Sequence, residues 1–206
     1  MNADDEVTLK ARVLDIWFKD DDTGSMELPQ SKRWFMGGKA LDQRLISDFT
    51  EAVDKAANGA LDHWQDDAQC ALALVVMLDQ FNRNMYRGTA QAFAHDAKAL
   101  SISRHCVNNA LDESLPVTQR VFLYLPFEHD ETAQSQQESI RLFTQLHNSA
   151  PPSLQDFSKR ALGSAMEHKR IVDQFGRYPH RNACLGRTST PEELAWLNSS
   201  GSRFGQ

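Results

Sequence analysis

The run Ala68-Gln69-Cys70-Ala71-Leu72-Ala73-Leu74-Val75-Val76-Met77-Leu78-Asp79-Gln80-Phe81 decides the fold. From Ala71 to Leu78 it is apolar at every position. A helix with no polar face has nothing to show to water, so it must lie among other helices. The apolar stretch is also too short to cross a bilayer. The run therefore predicts a buried central helix, opened by Asp66 or Asp67 as N-cap.

Outward from it, the chain supplies amphipathic helices to cover that centre. Leu41, Leu45, Phe49 and Val53 recur every four residues, and Asn58-Gly59 reads as the C-cap behind them. Leu9, Val13, Ile16 and Trp17 mark a first helix over Val7 to Phe18, with Asp4 or Asp5 able to cap it. Asp96 is placed to cap a helix from Ala97 to Leu111, with Leu100, Cys106 and Val107 facing inward. Pro116 suits the first turn of the next helix, and Pro126 is expected to bend or end it. Thr132 to Asn148 is polar apart from Ile140, Phe143 and Leu146, the pattern of a surface helix. A long helix is expected from Ser153 to Phe175, stopped by Gly176. Thr190-Pro191-Glu192-Glu193 is a capping box that starts a short last helix. The pair Trp34-Phe35, just before Gly37-Gly38, is expected to anchor the preceding loop on the core. No stretch alternates with period two, and no interior linker is long or polar enough to separate domains. The reading is one all-α domain over residues 1–206, with an ordered core from about 5 to 198.

Composition narrows the functions. The 206 residues are 41% hydrophobic and 24% charged, with a formal net charge of −6. An acidic chain is a poor match for nucleic acid, which needs a basic face. Charge is unevenly spread: Met1 to Asp67 holds 8 Lys and Arg against 15 Asp and Glu, whereas Phe157 to Arg187 holds 7 against 2. Cys70, Cys106 and Cys184 are far apart with no CxxC spacing, which indicates reduced thiols. The acidic opening MNADDEV lacks the basic start of a signal peptide, so a cytoplasmic location and no membrane are expected.

Three polar groups stand out against the apolar runs. Asp79, Arg83 and Asn84 come just after the buried helix, and Asp79 and Arg83 are spaced to pair along one face. Glu128 and His129 end the Pro126 helix, and, being adjacent, should point apart. Arg177, His180, Arg181 and Asn182 lie in a stretch with no acid between Gly176 and Thr188. Guanidinium groups there need a counter-charge, from the fold itself (Asp79, Glu128 or Asp130) or from an anionic ligand. Asp79-Gln80-Phe81 is echoed by Asp173-Gln174-Phe175, and each is followed by an Arg two residues on. His129, His168 and His180, with Glu128 or Glu167, could supply metal ligands. HExxH and ExxH spacing are absent, however, so no metal and no cofactor are expected. No GxGxxG, Walker loop or GxSxG elbow occurs.

Taken together, LDQFNRN, LPFEHDE, FGRYPHRN and LGRTSTPEE, with the early DIWF and the RWF pair, resemble the bacterial family called domain of unknown function 924. The resemblance spans nearly the whole chain in the same order. Asn82 stands where that family usually has Pro, and Tyr178 where Phe is common. The resemblance implies antiparallel helix pairs in a tetratricopeptide-like right-handed superhelix, and it implies no activity. Its motifs fall on Asp79, Arg83, Asn84, Glu128, His129, Arg177, His180, Arg181 and Asn182.

These residues support three function classes. In the first, Arg83, Asn84, Arg177, Arg181 and Asn182 hold a small carboxylate or phosphate. His180 or His129 then serves as acid or base beside Asp79 or Glu128. In the second, a helical-pair module docks a peptide and the charges form an internal network. In the third, a metal serves catalysis. All three need the three segments to meet, and the residues assign no reaction or oligomeric state.

Overall fold

The computed structural model describes residues 3–19, 34 and 38–199. These residues form helices α1 (Ala3–Phe18) and α2 (Lys39–Ala57), then a third helix, α3, in three consecutive parts. The parts of α3 are Ala68–Val75, a π-helical turn Val76–Phe81, and Asn82–Met85. Then come α4 (Asp96–Asn108), α5 (Val117–His129), α6 (Ala133–Ser149), α7 (Gln155–Phe175) and α8 (Pro191–Ser199). Short 3-10 turns at Ala90–Phe93 and Pro179–Arg181 contribute residues to the candidate site. The fold is all-helical, with no strand among the described residues.

The central position of α3 is dictated by its sequence. Every residue from Ala71 to Met85 is buried. Asp67 caps its start, accepting from the Cys70 N–H at 2.9 Å. Trp17 of α1 meets Phe81 at 5.7 Å between ring centroids, Phe49 of α2 meets Phe81 at 5.0 Å, and Trp17 meets Phe122 of α5 at 5.8 Å. Each such side chain, fully buried, is worth roughly 1.5–3 kcal/mol. Trp34 itself packs on the core: its indole N–H donates to the Trp17 carbonyl at 2.7 Å and its ring lies 4.8 Å from Phe122. The loop it was expected to anchor, and its neighbour Phe35, lie outside the described residues.

Helices α5 and α6, and α6 and α7, pack as antiparallel neighbours. Gln136 near the start of α6 reaches the end of α5, whereas Tyr124 pairs with Phe143 further along. His147 near the end of α6 bonds Ser158 at the start of α7 at 3.0 Å.

Three local expectations differ from the structure. Pro126 does not end α5: the helix runs on to His129. Pro126 removes the donor that would serve the Phe122 carbonyl, but continuous burial from Val121 to Glu128 carries the helix through. Helix α6 is less superficial than its composition suggests, because Ser135, Gln136 and Ser139 are buried. Gln136 has a reason to be there: its amide donates to the Glu128 and Asp130 carbonyls at 2.8 and 2.6 Å, satisfying the open end of α5. Asp96 is the first helical residue of α4, not its cap, and its carboxylate serves a distant partner.

Candidate functional site

The site begins in the π-helical turn of α3. A π turn holds one more residue than an α turn and re-aims the side chains beyond it. Asp79 sits there with no exposed surface. Its Oδ1 takes His129 Nδ1 at 2.7 Å and lies 3.2 Å from Arg83 Nη2, and its Oδ2 accepts from Gln80 at 2.5 Å. Burial opposes ionisation of Asp79, but Arg83 and His129 outweigh it and hold the carboxyl well below its ordinary range. One turn on, Arg83 grips Asp96 with both terminal nitrogens, at 3.0 and 2.9 Å, and donates to the Ala92 carbonyl at 3.2 Å. This bidentate fork is the strong form of the ion pair.

The end of α5 brings the second segment. As adjacent helical residues must, Glu128 and His129 diverge. His129 turns to Asp79. Glu128 Oε1 accepts from Ser164 Oγ at 2.8 Å and lies 2.8 Å from His168 Nδ1, both on α7. Burial would raise the Glu128 pKa, yet His168 and then His129 bring it below the ordinary value. The His129 pKa is lowered, chiefly by burial and then by Arg83. The two carboxylate–imidazole pairs are neighbours, with the His129 and His168 rings 6.2 Å apart.

The third segment arrives on the loop between α7 and α8. Tyr178 is fully buried and ties the loop down, its hydroxyl donating to the Glu128 carbonyl at 2.5 Å and its N–H to Glu131 at 2.8 Å. Phenylalanine, common at this position in the family the sequence resembles, could not make the first bond. The 3-10 turn Pro179–Arg181 then swings His180 and Arg181 inward. Burial first, and Arg181 next, push the His180 pKa down to about 3.

Arg181 is the unusual member. It is 7% exposed, and its guanidinium stands 4.5 Å from the Tyr178 ring centroid and 4.7 Å from that of Phe93. Its nearest carboxylate oxygen, on Asp96, is 3.7 Å away, and its guanidinium makes no hydrogen bond among the described residues. Burial and the neighbouring Arg83 lower its pKa. The DQFNR, FEH and PHRN segments thus meet around Arg83, Asp96, His129 and Arg181.

Three predicted residues lie apart from this cluster. Arg177 forks onto Glu193 at 2.7 and 2.8 Å and donates to the Thr188 carbonyl at 2.9 Å. Asn182 donates to Ser189 and Glu193, so both side chains hold the start of α8. Asn84 donates to the Gln80 carbonyl and accepts from Arg87. The echo of Asp79-Gln80-Phe81 has no shared role either, since Asp173 is exposed and pairs with Lys169. Sequence reasoning missed Phe93 altogether and took Asp96 only as a cap. An acid flanked by the aromatic of a short turn was the available signal. Among the described residues no group of three or more His, Cys, Asp and Glu is placed to hold a metal ion.

Known proteins that resemble this chain inform the fold and are silent about chemistry. The model of the family described as bacterial protein of unknown function, DUF924, matches residues 13–201. The chain belongs to this family. A solved protein of unknown function from Agrobacterium tumefaciens is 35% identical, with a TM-score of 0.79, covering 94% of this chain and 99% of that one. No curated protein gives a significant match. A DUF924 chain therefore has a recurrent helical scaffold, and its chemistry must be sought in the site.

Proposed function

We propose that this chain binds a small anion, of carboxylate or phosphate type, against Arg181. The observation that carries this reading is the guanidinium itself: buried, flanked by two aromatic rings, and without a hydrogen bond among the described residues. Buried donors left without an acceptor are costly even where a carboxylate nearby balances the charge. A guanidinium presents five donors, and a carboxylate or phosphate satisfies two of them at once. Arg83 stands next to it and adds to the positive field, although both its terminal nitrogens already hold Asp96. His129, oriented by Asp79, is the acid–base candidate. His180 stays neutral near pH 7, as a hydrogen-bonding neighbour. A cytoplasmic setting is supported by three cysteines that form no disulfide. No helix among the described residues is long and apolar enough to cross a membrane.

The test is titration of the purified chain with inorganic phosphate and with acetate, monitored by amide NMR shifts. Binding is expected in wild type and in Arg177→Met. Arg181→Met should lose about tenfold or more in affinity, the scale of one or two charge-assisted hydrogen bonds. Absence of binding for both anions, or full affinity in Arg181→Met, overturns the reading.

A second reading draws on the other half of the cluster. Asp79, Arg83, Asp96 and His129 are mutually paired, as an internal network in a tetratricopeptide-like interaction module would be, and the antiparallel run of α5, α6 and α7 is compatible with one. Failure of the purified chain to retain any peptide or protein partner would remove it.

A further inference from the structure

We propose that His129 is a further ligand-contacting residue of the Arg181 site, neutral in the free protein and protonated when an anion is bound. This rests on the anion-binding reading of Arg181.

The charges of the site cancel. Asp79 and Asp96 offset Arg83 and Arg181 one for one. The groups form a chain in which His129 meets Asp79 at 2.7 Å, Asp79 meets Arg83 at 3.2 Å, Arg83 meets Asp96 at 2.9 Å, and Asp96 meets Arg181 at 3.7 Å. An anion drawn to Arg181 therefore enters a site with no surplus positive charge, and it comes to rest near the Asp96 carboxylate. Favourable binding needs one more positive charge close by.

His129 can supply it. Its Nδ1 is held by Asp79, which makes Nε2 the nitrogen that accepts a proton, and Nε2 has no hydrogen-bond partner among the described residues. Protonation there gives an imidazolium steadied by Asp79 on one side, with an N–H to offer an anion on the other. The proton comes from solvent and no covalent bond is made to the ligand.

The groups around His129 set the direction. Asp79 and Arg83 face it from α3, Asp96 from the start of α4, Glu128 from its own helix, His168 from α7, and His180 and Arg181 lie on the loop beyond. Burial and Arg83 keep His129 neutral in the free site, although Asp79 and Asp96 pull the other way. An added anion joins the side of Asp79 and Asp96 and tips the balance toward protonation. His180 is the poorer acceptor, because burial and Arg181 push it down to about 3.

The experiment is isothermal titration calorimetry with sodium sulfate, an anion that does not itself titrate near neutrality. Binding heats are measured near pH 7 in buffers of different ionisation enthalpy, which reveals the protons taken up per sulfate. Wild type is expected to take up about one proton, and sulfate affinity should rise about tenfold for each unit that pH falls while His129 is neutral in the free protein. His129→Gln should bind sulfate about tenfold or more weakly than wild type, with no uptake and a flat pH profile. Ring-nitrogen NMR of the wild type needs no variant: sulfate should move His129 Nε2 from the unprotonated to the protonated position. Sulfate bound without proton uptake, or with His129 Nε2 unmoved, overturns this proposal alone. No sulfate binding at any pH overturns the anion reading beneath it.

Discussion

Arg177 and Arg181 stand four residues apart on one loop, yet the fold treats them in opposite ways. Arg177 is partly exposed and makes three hydrogen bonds, two to Glu193 and one to Thr188. Arg181 is buried more deeply and closes none among the described residues. If structural fastening were the only task of these charges, the order would be reversed, because an unmet donor costs most where water is excluded. The difference separates a latch, which holds α8 on the body, from the seat proposed for an anion.

The largest break in this comparison comes from the shared root of the seat. Asp79→Ala removes the fully buried carboxylate that balances Arg83 and holds His129. Losing one partner of a buried pair costs about 3–5 kcal/mol, to be read from urea unfolding. A loss below about 1 kcal/mol would show that Asp96 alone satisfies Arg83.

The latch is expected to be worth less. Thr190 Oγ1 accepts from the Glu193 N–H at 3.2 Å, and Glu193 Oε2 accepts from the Thr190 N–H at 2.8 Å, a closed capping box. Thr190→Ala should cost about 1 kcal/mol. The latch should also respond to acid. Hydrogen bonds from Arg177, and then the Thr190 N–H and the Arg177 charge, hold Glu193 down to about 2 against an ordinary value of 4.5. Its contribution is therefore complete above the ordinary carboxyl pKa and is lost as pH falls from there toward about 2. Glu193→Gln should flatten that part of the stability profile, measured by denaturant midpoints at each pH.

The smallest effect, and the sharpest contrast, is Arg181→Met. It removes a buried charge that makes no hydrogen bond among the described residues, and Met can fill the space between Phe93 and Tyr178. Stability should stay within about 1 kcal/mol of wild type while anion binding is lost. A large loss of stability instead would place Arg181 with the latch.

Much of this was legible in the sequence. The all-apolar run Ala71 to Leu78 and the four-residue recurrence of Leu41, Leu45, Phe49 and Val53 specify their helices by local periodicity. The capping box at Thr190 is likewise a three-residue matter. The Asp79–Arg83 pair comes directly from helical spacing. What the sequence could not supply was the choice among distant partners. Asp96 looks like any helix-start acid until packing brings Arg83 and Arg181 to it. Glu193 reads as a cap and is also the anchor of Arg177. Glu128 and His129 could be said to part, but not that one would find His168 and the other Asp79. Pro126 was misleading because its local cost is small beside the burial of the whole helix around it.

The wide turn at Val76–Phe81 carries one more consequence. Winding the same six residues as an ordinary α-helix, with none removed, would turn everything downstream by about 100°. Arg83 would then swing away from Asp96, and Asn82 from the Gln91 carbonyl it now holds at 2.5 Å. The whole arrangement thus depends on how one buried segment is wound. A homologue of the same length that wound it tightly could keep every charged residue and still be unable to assemble them.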